Sequence, residues 1–79
     1  MDGIEWEIKC PKGDGKHTIE RNIRKAATQS HYIIMDLRRI KLPEKQCLSE
    51  IEAFSISKPG IKKILVIKKN LEVIEFPDN

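Results

Sequence analysis

The chain has 79 residues, of which 39% are hydrophobic and 34% are charged, and its formal net charge is +3. This length suits one domain over residues 1–79 with a small core, and the periodic hydrophobic residues exclude a disordered chain. Two cysteines without metal-ligand spacing, no basic-then-apolar leader and no long apolar run favour a cytoplasmic protein over a secreted, zinc-binding or membrane-spanning one.

The first half of the chain predicts a strand, a helix and another strand. Apolar residues alternate with charged residues over 4–9, which predicts a strand with one buried, apolar face and one polar face. Apolar residues then recur with helical spacing, so we predict an amphipathic helix over 18–29 with Thr18 as its N-cap. The apolar run 32–37 predicts a central strand that is covered on both faces.

The second half predicts one helix and two strands. The helix begins near Pro43, which suits a first helical turn. Residues 61–67 and 71–76 predict strands, joined by a short link in which Asn70 takes a positive φ. The order βαβαββ indicates a small α/β layer, with α+β as the alternative class. Its first three strands are parallel, and an antiparallel C-terminal hairpin forms the edge.

The positive charge is concentrated in the first half. Residues 9–41 hold nine Lys or Arg against three Asp or Glu, a local charge of +6, whereas residues 43–79 hold six of each kind. The basic loop 10–17 leads directly into the predicted helix. Since cations and helix starts both attract phosphate groups, this arrangement favours a nucleic-acid partner.

Parallel strands bring their carboxyl ends to one edge of a sheet, where ligands bind. We expect two groups of functional residues, of which the catalytic group lies at this edge together with Lys16 and Thr18. The candidate catalytic residues are Glu7, Lys9, His17, Asp36 and Arg38. The candidate phosphate-binding residues are Lys12, Lys16, Thr18, Arg21, Arg24 and Lys25.

Each candidate also has a structural interpretation. Glu7 and Lys9 form the E-x-K pattern of metal-dependent nucleases, in which Glu7, with Asp36, would bind magnesium or another divalent cation; a solvated strand face gives the same pattern. Histidine gains and loses protons near neutral pH, so His17 suits a general base, but exposed loop histidines are equally common. Asp36 needs a partner at the end of a buried strand, and Arg38 or a metal would serve. The basic residues of the helix could bind a phosphate backbone or simply keep the helix soluble.

Several spaced motifs together resemble one known family, the C-terminal tRNA nuclease domains of CdiA-type contact-dependent inhibition toxins. Related domains occur in phage and other mobile-element proteins. The resemblance covers nearly the whole chain, and its motifs are W-E-I-K at 6–9, T-I-E at 18–20, I-R-K-A at 23–26, Q-S at 29–30, I-I-M-D-L-R-R at 33–39 and I-K-K-I-L-V-I at 61–67.

The resemblance implies cleavage of RNA, with tRNA as the substrate class, and an immunity protein as a partner. It leaves open whether cleavage needs a metal ion or uses the 2′-hydroxyl of the RNA itself. Family domains normally have further sequence before the W-E-I-K strand, where metal-dependent nucleases keep another carboxylate, and here only Asp2 and Glu5 precede Glu7. If such an acid is essential, we expect a remnant that binds nucleic acid without cleaving it. An interaction domain of a mobile-element protein is the remaining alternative.

Overall fold

The computed structural model describes residues 3–77, so Asp2 lies outside the described part of the chain. The predicted order βαβαββ is confirmed. The elements are β1 (Trp6–Lys9), α1 (Thr18–Ala27), β2 (Tyr32–Asp36), α2 (Glu44–Ser57), β3 (Lys63–Ile67) and β4 (Val73–Phe76).

The four strands form one mixed sheet with the spatial order β1-β2-β3-β4. β1, β2 and β3 are parallel, and β4 pairs with β3 in the antiparallel sense. Glu7, Ile33 and Ile64 are direct neighbours across the three parallel strands, which defines the register. The predicted α/β class with an antiparallel C-terminal edge is therefore confirmed.

Both helices pack on the same face of the sheet, where α1 also contacts α2. The fully buried strand residues Ile33, Met35, Ile64 and Val66 all alternate onto this face, whereas Ile34 on the opposite face is only partly buried. The prediction that β2 is covered on both faces is therefore wrong. Two right-handed crossovers that step in the same direction across a sheet must place their helices on one side.

The hydrophobic core lies between this face and the helices. α1 contributes Ile19, Ile23 and Ala26, and α2 contributes Cys47 and Ile51, as their helical spacing predicts. Each of these side chains is fully buried. Because the core has a single layer of apolar contacts, it fixes the orientation of α1 against β1 and β2, which matters for the site below.

The structure reverses the predicted faces of β1. The apolar residues Ile4 and Ile8 are 39% and 60% exposed, while Glu7 and Lys9 lie on the helix side of the sheet. Alternation correctly predicts two faces, but it does not identify the one beneath the helices. The charged face of β1 is therefore held against α1.

The ends of the helices differ slightly from the prediction. His17, not Thr18, is the N-cap residue of α1, and no side chain caps that end. The helix ends at Ala27, with Thr28 as its C-cap, instead of continuing to residue 29. Pro43 is the N-cap residue of α2 and precedes its first turn.

The β3–β4 connection places the positive φ at Leu71, with a value of 73°, and not at Asn70 as predicted. The Asn70 side chain instead accepts a hydrogen bond from the backbone nitrogen of Glu72 at 3.0 Å. A left-handed backbone conformation is costly for leucine. The Leu71 side chain is 65% exposed, so removing it costs the protein little packing.

We expect Leu71→Gly to raise the free energy of unfolding by about 0.5–1 kcal/mol, because glycine adopts this conformation without steric cost. Urea denaturation measures the change. Val73→Gly, two residues later in β4, is the control and should lower the free energy instead. Equal losses in the two variants would contradict a strained Leu71.

Candidate functional site

A cationic groove lies on the outer side of α1, where that helix meets the basic loop. Its volume is about 310 Å³, and the residues lining it are Lys12, Thr18, Arg21, Asn22 and Lys25. None of its three cations forms an ion pair with a carboxylate of residues 3–77. The groove therefore presents uncompensated positive charge along α1 and the loop before it, which suits an anionic ligand.

Local geometry holds the basic loop against the segment that connects β2 to α2. The backbone nitrogen of Lys41 donates to the carbonyl of Gly13 at 2.8 Å, and Gly13 forms a bridge with Ile40. Gly13 has a φ of 85°, which favours glycine. At Gly15 a Cβ atom would lie 2.9 Å from the Thr18 hydroxyl, so a larger residue there would require the Thr18 side chain or the loop to move. These contacts place Lys12 beside the start of α1.

A second polar cluster lies where the end of α1 passes over β1. The Lys9 ammonium is 3.3 Å from a carboxylate oxygen of Glu7. The Gln29 amide lies 2.9 Å from both oxygens of that carboxylate, and assigning its nitrogen to that side makes it a donor to both. The side chains of Glu7 and Lys9 are only 26% and 20% exposed. The carboxylate is therefore held in one position by two donors.

The groove and the Glu7 cluster are connected by one stripe of α1. Residues 18, 22 and 25 follow helical spacing within α1, so they project from the same side of the helix, and Gln29 lies in the turn just beyond its end. The Asn22 amide donates to the Thr18 carbonyl at 2.8 Å within this stripe. From the sequence alone Gln29 could be a helix-capping group or a base contact, and Asn22 is not indicated, because the positions of both depend on how α1 packs over β1.

Asp36 belongs to a different cluster. One of its oxygens accepts hydrogen bonds from the Arg38 backbone nitrogen and Nε, both at 3.0 Å, and the other accepts from Arg38 Nη2 at 2.8 Å. The Cys10 thiol lies 3.9 Å from that second oxygen. The hydrogen-bonded Arg38 guanidinium lowers the pKa of Asp36 below its ordinary value. The structural pairing of Asp36 with Arg38, one of the two alternatives left open above, is therefore present.

Asp36→Asn is expected to lower the free energy of unfolding by about 1–2 kcal/mol at pH 7, because Arg38 loses its charged partner. The pKa of Asp36 is lower in the folded state, so this contribution is present above about pH 4 and is lost as the pH falls through the lowered pKa. Urea denaturation at pH 7 and at pH 2.5 measures both values.

Glu52→Gln is the control for this prediction, because Glu52 is exposed and its carboxylate forms no ion pair within residues 3–77. The gap between wild type and Asp36→Asn should shrink at the lower pH. A gap of the same size at both values would contradict an ionic role for Asp36.

The remaining predicted residues lie apart from the Glu7 cluster. His17 is exposed and lies 3.4 Å from a Glu20 carboxylate oxygen, and the other oxygen of Glu20 pairs with Arg24 at 2.9 Å. Lys16 is exposed in the basic loop. Arg24 is thus compensated, whereas the neighbouring Arg21 lines the groove. The basic residues that were predicted to form one stripe on α1 are therefore divided: Arg24 is paired with a carboxylate, whereas Arg21 and Lys25 line the groove.

The residues proposed above as shared metal ligands are separated by the sheet. Glu7 aligns with Ile33 on the helix side, and Asp36 lies three positions beyond Ile33 in the same strand, so its side chain is on the opposite face. No group of three or more His, Cys, Asp or Glu within residues 3–77 could hold a metal ion. Glu7 and Asp36 therefore do not share one face of the sheet, and the metal pair stays a prediction.

The fold and its groove define a small α/β domain with a strongly cationic side. A family model, the contact-dependent growth inhibition CdiA C-terminal domain, matches residues 1–73. The chain belongs to this family and is a contact-dependent inhibition toxin C-terminal domain, as the resemblance of its motifs implies. Neither the curated proteins nor the solved structures include a match to it. Neither helix in the part of the chain described is long and apolar enough to cross a membrane.

Proposed function

We propose that this toxin domain cleaves RNA, with transfer RNA as its substrate class. The observation that carries the proposal is the Glu7–Lys9 pair beside the C-terminal end of α1, together with a groove along the same helix that holds three cations without an ion pair within residues 3–77. One side of the molecule thus combines a group that can move a proton with a surface that can hold a phosphate backbone.

The groove supplies the binding part of the proposed function. Lys12, Arg21 and Lys25 attract RNA phosphates, and the first turn of α1 adds backbone nitrogen atoms without helical partners. Lys16 and Thr18 border the same end of the helix and belong to the proposed contact surface. Arg24 is paired with Glu20, so it contributes less net charge.

Glu7 supplies the chemical part. Its carboxylate would accept a proton from the attacking hydroxyl group, which forms a bond to phosphorus as the bond to the leaving oxygen breaks. Lys9 would stabilise the negative charge that develops on the phosphate oxygens. Gln29 acts through Glu7 as a positioning residue. His17, Asp36 and Arg38 remain predicted catalytic residues, and substitution tests them separately.

A second candidate function is RNA binding without cleavage. The observation in its favour is that both oxygens of Glu7 are within hydrogen-bond distance of the Gln29 amide and one also pairs with Lys9, so the carboxylate is occupied by contacts within the protein. The third possibility, an interaction domain of a phage or mobile-element protein, predicts that RNA does not bind even at low salt.

CdiA C-terminal toxin domains generally pair with immunity proteins. An immunity protein that blocks this domain would present acidic side chains to Lys12, Arg21 and Lys25, because these cations have no acidic partner within residues 3–77. The proposed site of action is the cytoplasm, where tRNA is found.

Incubation of purified protein with total tRNA tests these functions. Reactions with magnesium and with EDTA determine whether cleavage needs a divalent cation. Glu7→Ala, His17→Ala and Asp36→Ala are compared with the wild type, and we expect the largest loss for Glu7→Ala. If tRNA stays intact at high protein excess but still binds in a salt-sensitive way, the domain binds RNA and is not a nuclease. If tRNA is neither bound nor cleaved, the interaction-domain function is the one that remains.

A further inference from the structure

The sheet face opposite the helices is apolar and uncovered in the described chain. Its residues, called the open face here, are Trp6, Ile8, Tyr32, Ile34, Leu65 and Ile67, with Val73 beside them on the edge strand. Ile8 is 60% exposed and Val73 is 59% exposed. Uncovered apolar patches of this kind mark interaction surfaces in proteins of this size.

The charge of the open face disfavours RNA as its occupant. Lys63 and Glu75 lie on this face and pair with each other at 3.2 Å, so they cancel. At the end of β2, Arg38 is likewise paired with Asp36. The unpaired cations of the groove are on α1 and on the loop before it, and α1 covers the other side of the sheet. A phosphate backbone would therefore gain little on the open face, and an apolar protein surface fits it better.

The size of the face is sufficient for a weak homodimer. Counted at full spacing, four strands about 4.8 Å apart and three rows of side chains about 7 Å apart give a face of roughly 19 by 21 Å. Because protruding side chains add to the area of a flat face, two copies would bury about 1,000 Å² of accessible surface in total. This area is near the lower limit for a specific interface.

We propose that a second copy of this chain packs on the open face. In a two-fold dimer the same patch serves both partners, so a neutral apolar face is its own complement. Stacked sheets about 10 Å apart would cover Ile8 and Val73. The cationic grooves of both copies then point outwards, so their like charges are kept apart and the RNA-binding sides stay accessible.

Sedimentation velocity over a range of protein concentrations tests this dimer. The wild-type mass should rise from 9.1 kDa towards twice that value as the concentration reaches about 1 mM. Ile8→Lys and Val73→Lys, studied as separate variants, should each shift the midpoint of association at least about tenfold upwards. Ile56→Lys is the matched control, because Ile56 is 74% exposed on α2, away from the open face, and this variant should associate like the wild type.

Circular dichroism confirms that each variant is folded before it is compared, and Val73→Lys replaces Ile8→Lys if the latter unfolds. A wild type that stays at 9.1 kDa throughout would overturn the proposal. Dimerisation that Ile8→Lys and Val73→Lys leave unchanged would also overturn it, since the interface would then lie elsewhere.

Discussion

Glu7→Gln is expected to reduce the cleavage rate of tRNA by about 10²- to 10⁴-fold, the range typical for loss of a general base. Glutamine has nearly the same shape and can still accept a hydrogen bond, so the fold and the contact with Lys9 should be retained. It cannot accept a proton from the attacking hydroxyl group. Gel electrophoresis of tRNA fragments over time gives the rate, and fluorescence anisotropy with labelled tRNA gives the affinity.

Glu5→Gln is the matched control for this substitution. Glu5 precedes Glu7 by two residues, is exposed, and forms no ion pair within residues 3–77. We expect it to cleave at the wild-type rate. A Glu7→Gln variant that cleaves as fast as the wild type would remove Glu7 from the mechanism, and His17 and Asp36 would be the next groups to test. Loss of affinity together with rate would indicate that Glu7 acts in binding.

Removing the three groove cations together should have the second large effect. In Lys12→Gln, Arg21→Gln, Lys25→Gln protein, we expect RNA affinity to fall roughly 10- to 100-fold at low salt. The slope of log affinity against log salt should decrease by about two to three, because fewer counterions are released from the phosphates. Anisotropy titrations at several salt concentrations measure both quantities.

A charge-matched variant separates a specific groove from general electrostatic attraction. Lys45→Gln, Lys62→Gln, Lys69→Gln protein loses the same charge from exposed positions in the second half of the chain. It should keep most of the affinity and of the salt slope. If both triple variants weaken binding equally, net charge and not the groove controls RNA binding.

The Glu7 cluster illustrates how far the sequence predicts the site. The E-x-K spacing of Glu7 and Lys9 identifies the pair, and the basic loop predicts cations at the start of α1. The contact of Gln29 with Glu7 joins residues 22 positions apart. It depends on the crossing of α1 over β1, which no local spacing contains. Asn22 was missed for the same reason, since its place in the groove requires the packed helix.

The sequence by itself determined the order of the six elements, the inward stripes of both helices and the concentration of positive charge in residues 9–41. These features depend on local periodicity and composition. Only the tertiary structure decided which face of each strand is covered. The strand order and the handedness of the crossovers place both helices on one face of the sheet. Glu7 lies on that face near Gln29, whereas Asp36 lies on the opposite face. The apolar residues around Ile8 are on the opposite face as well and are left exposed.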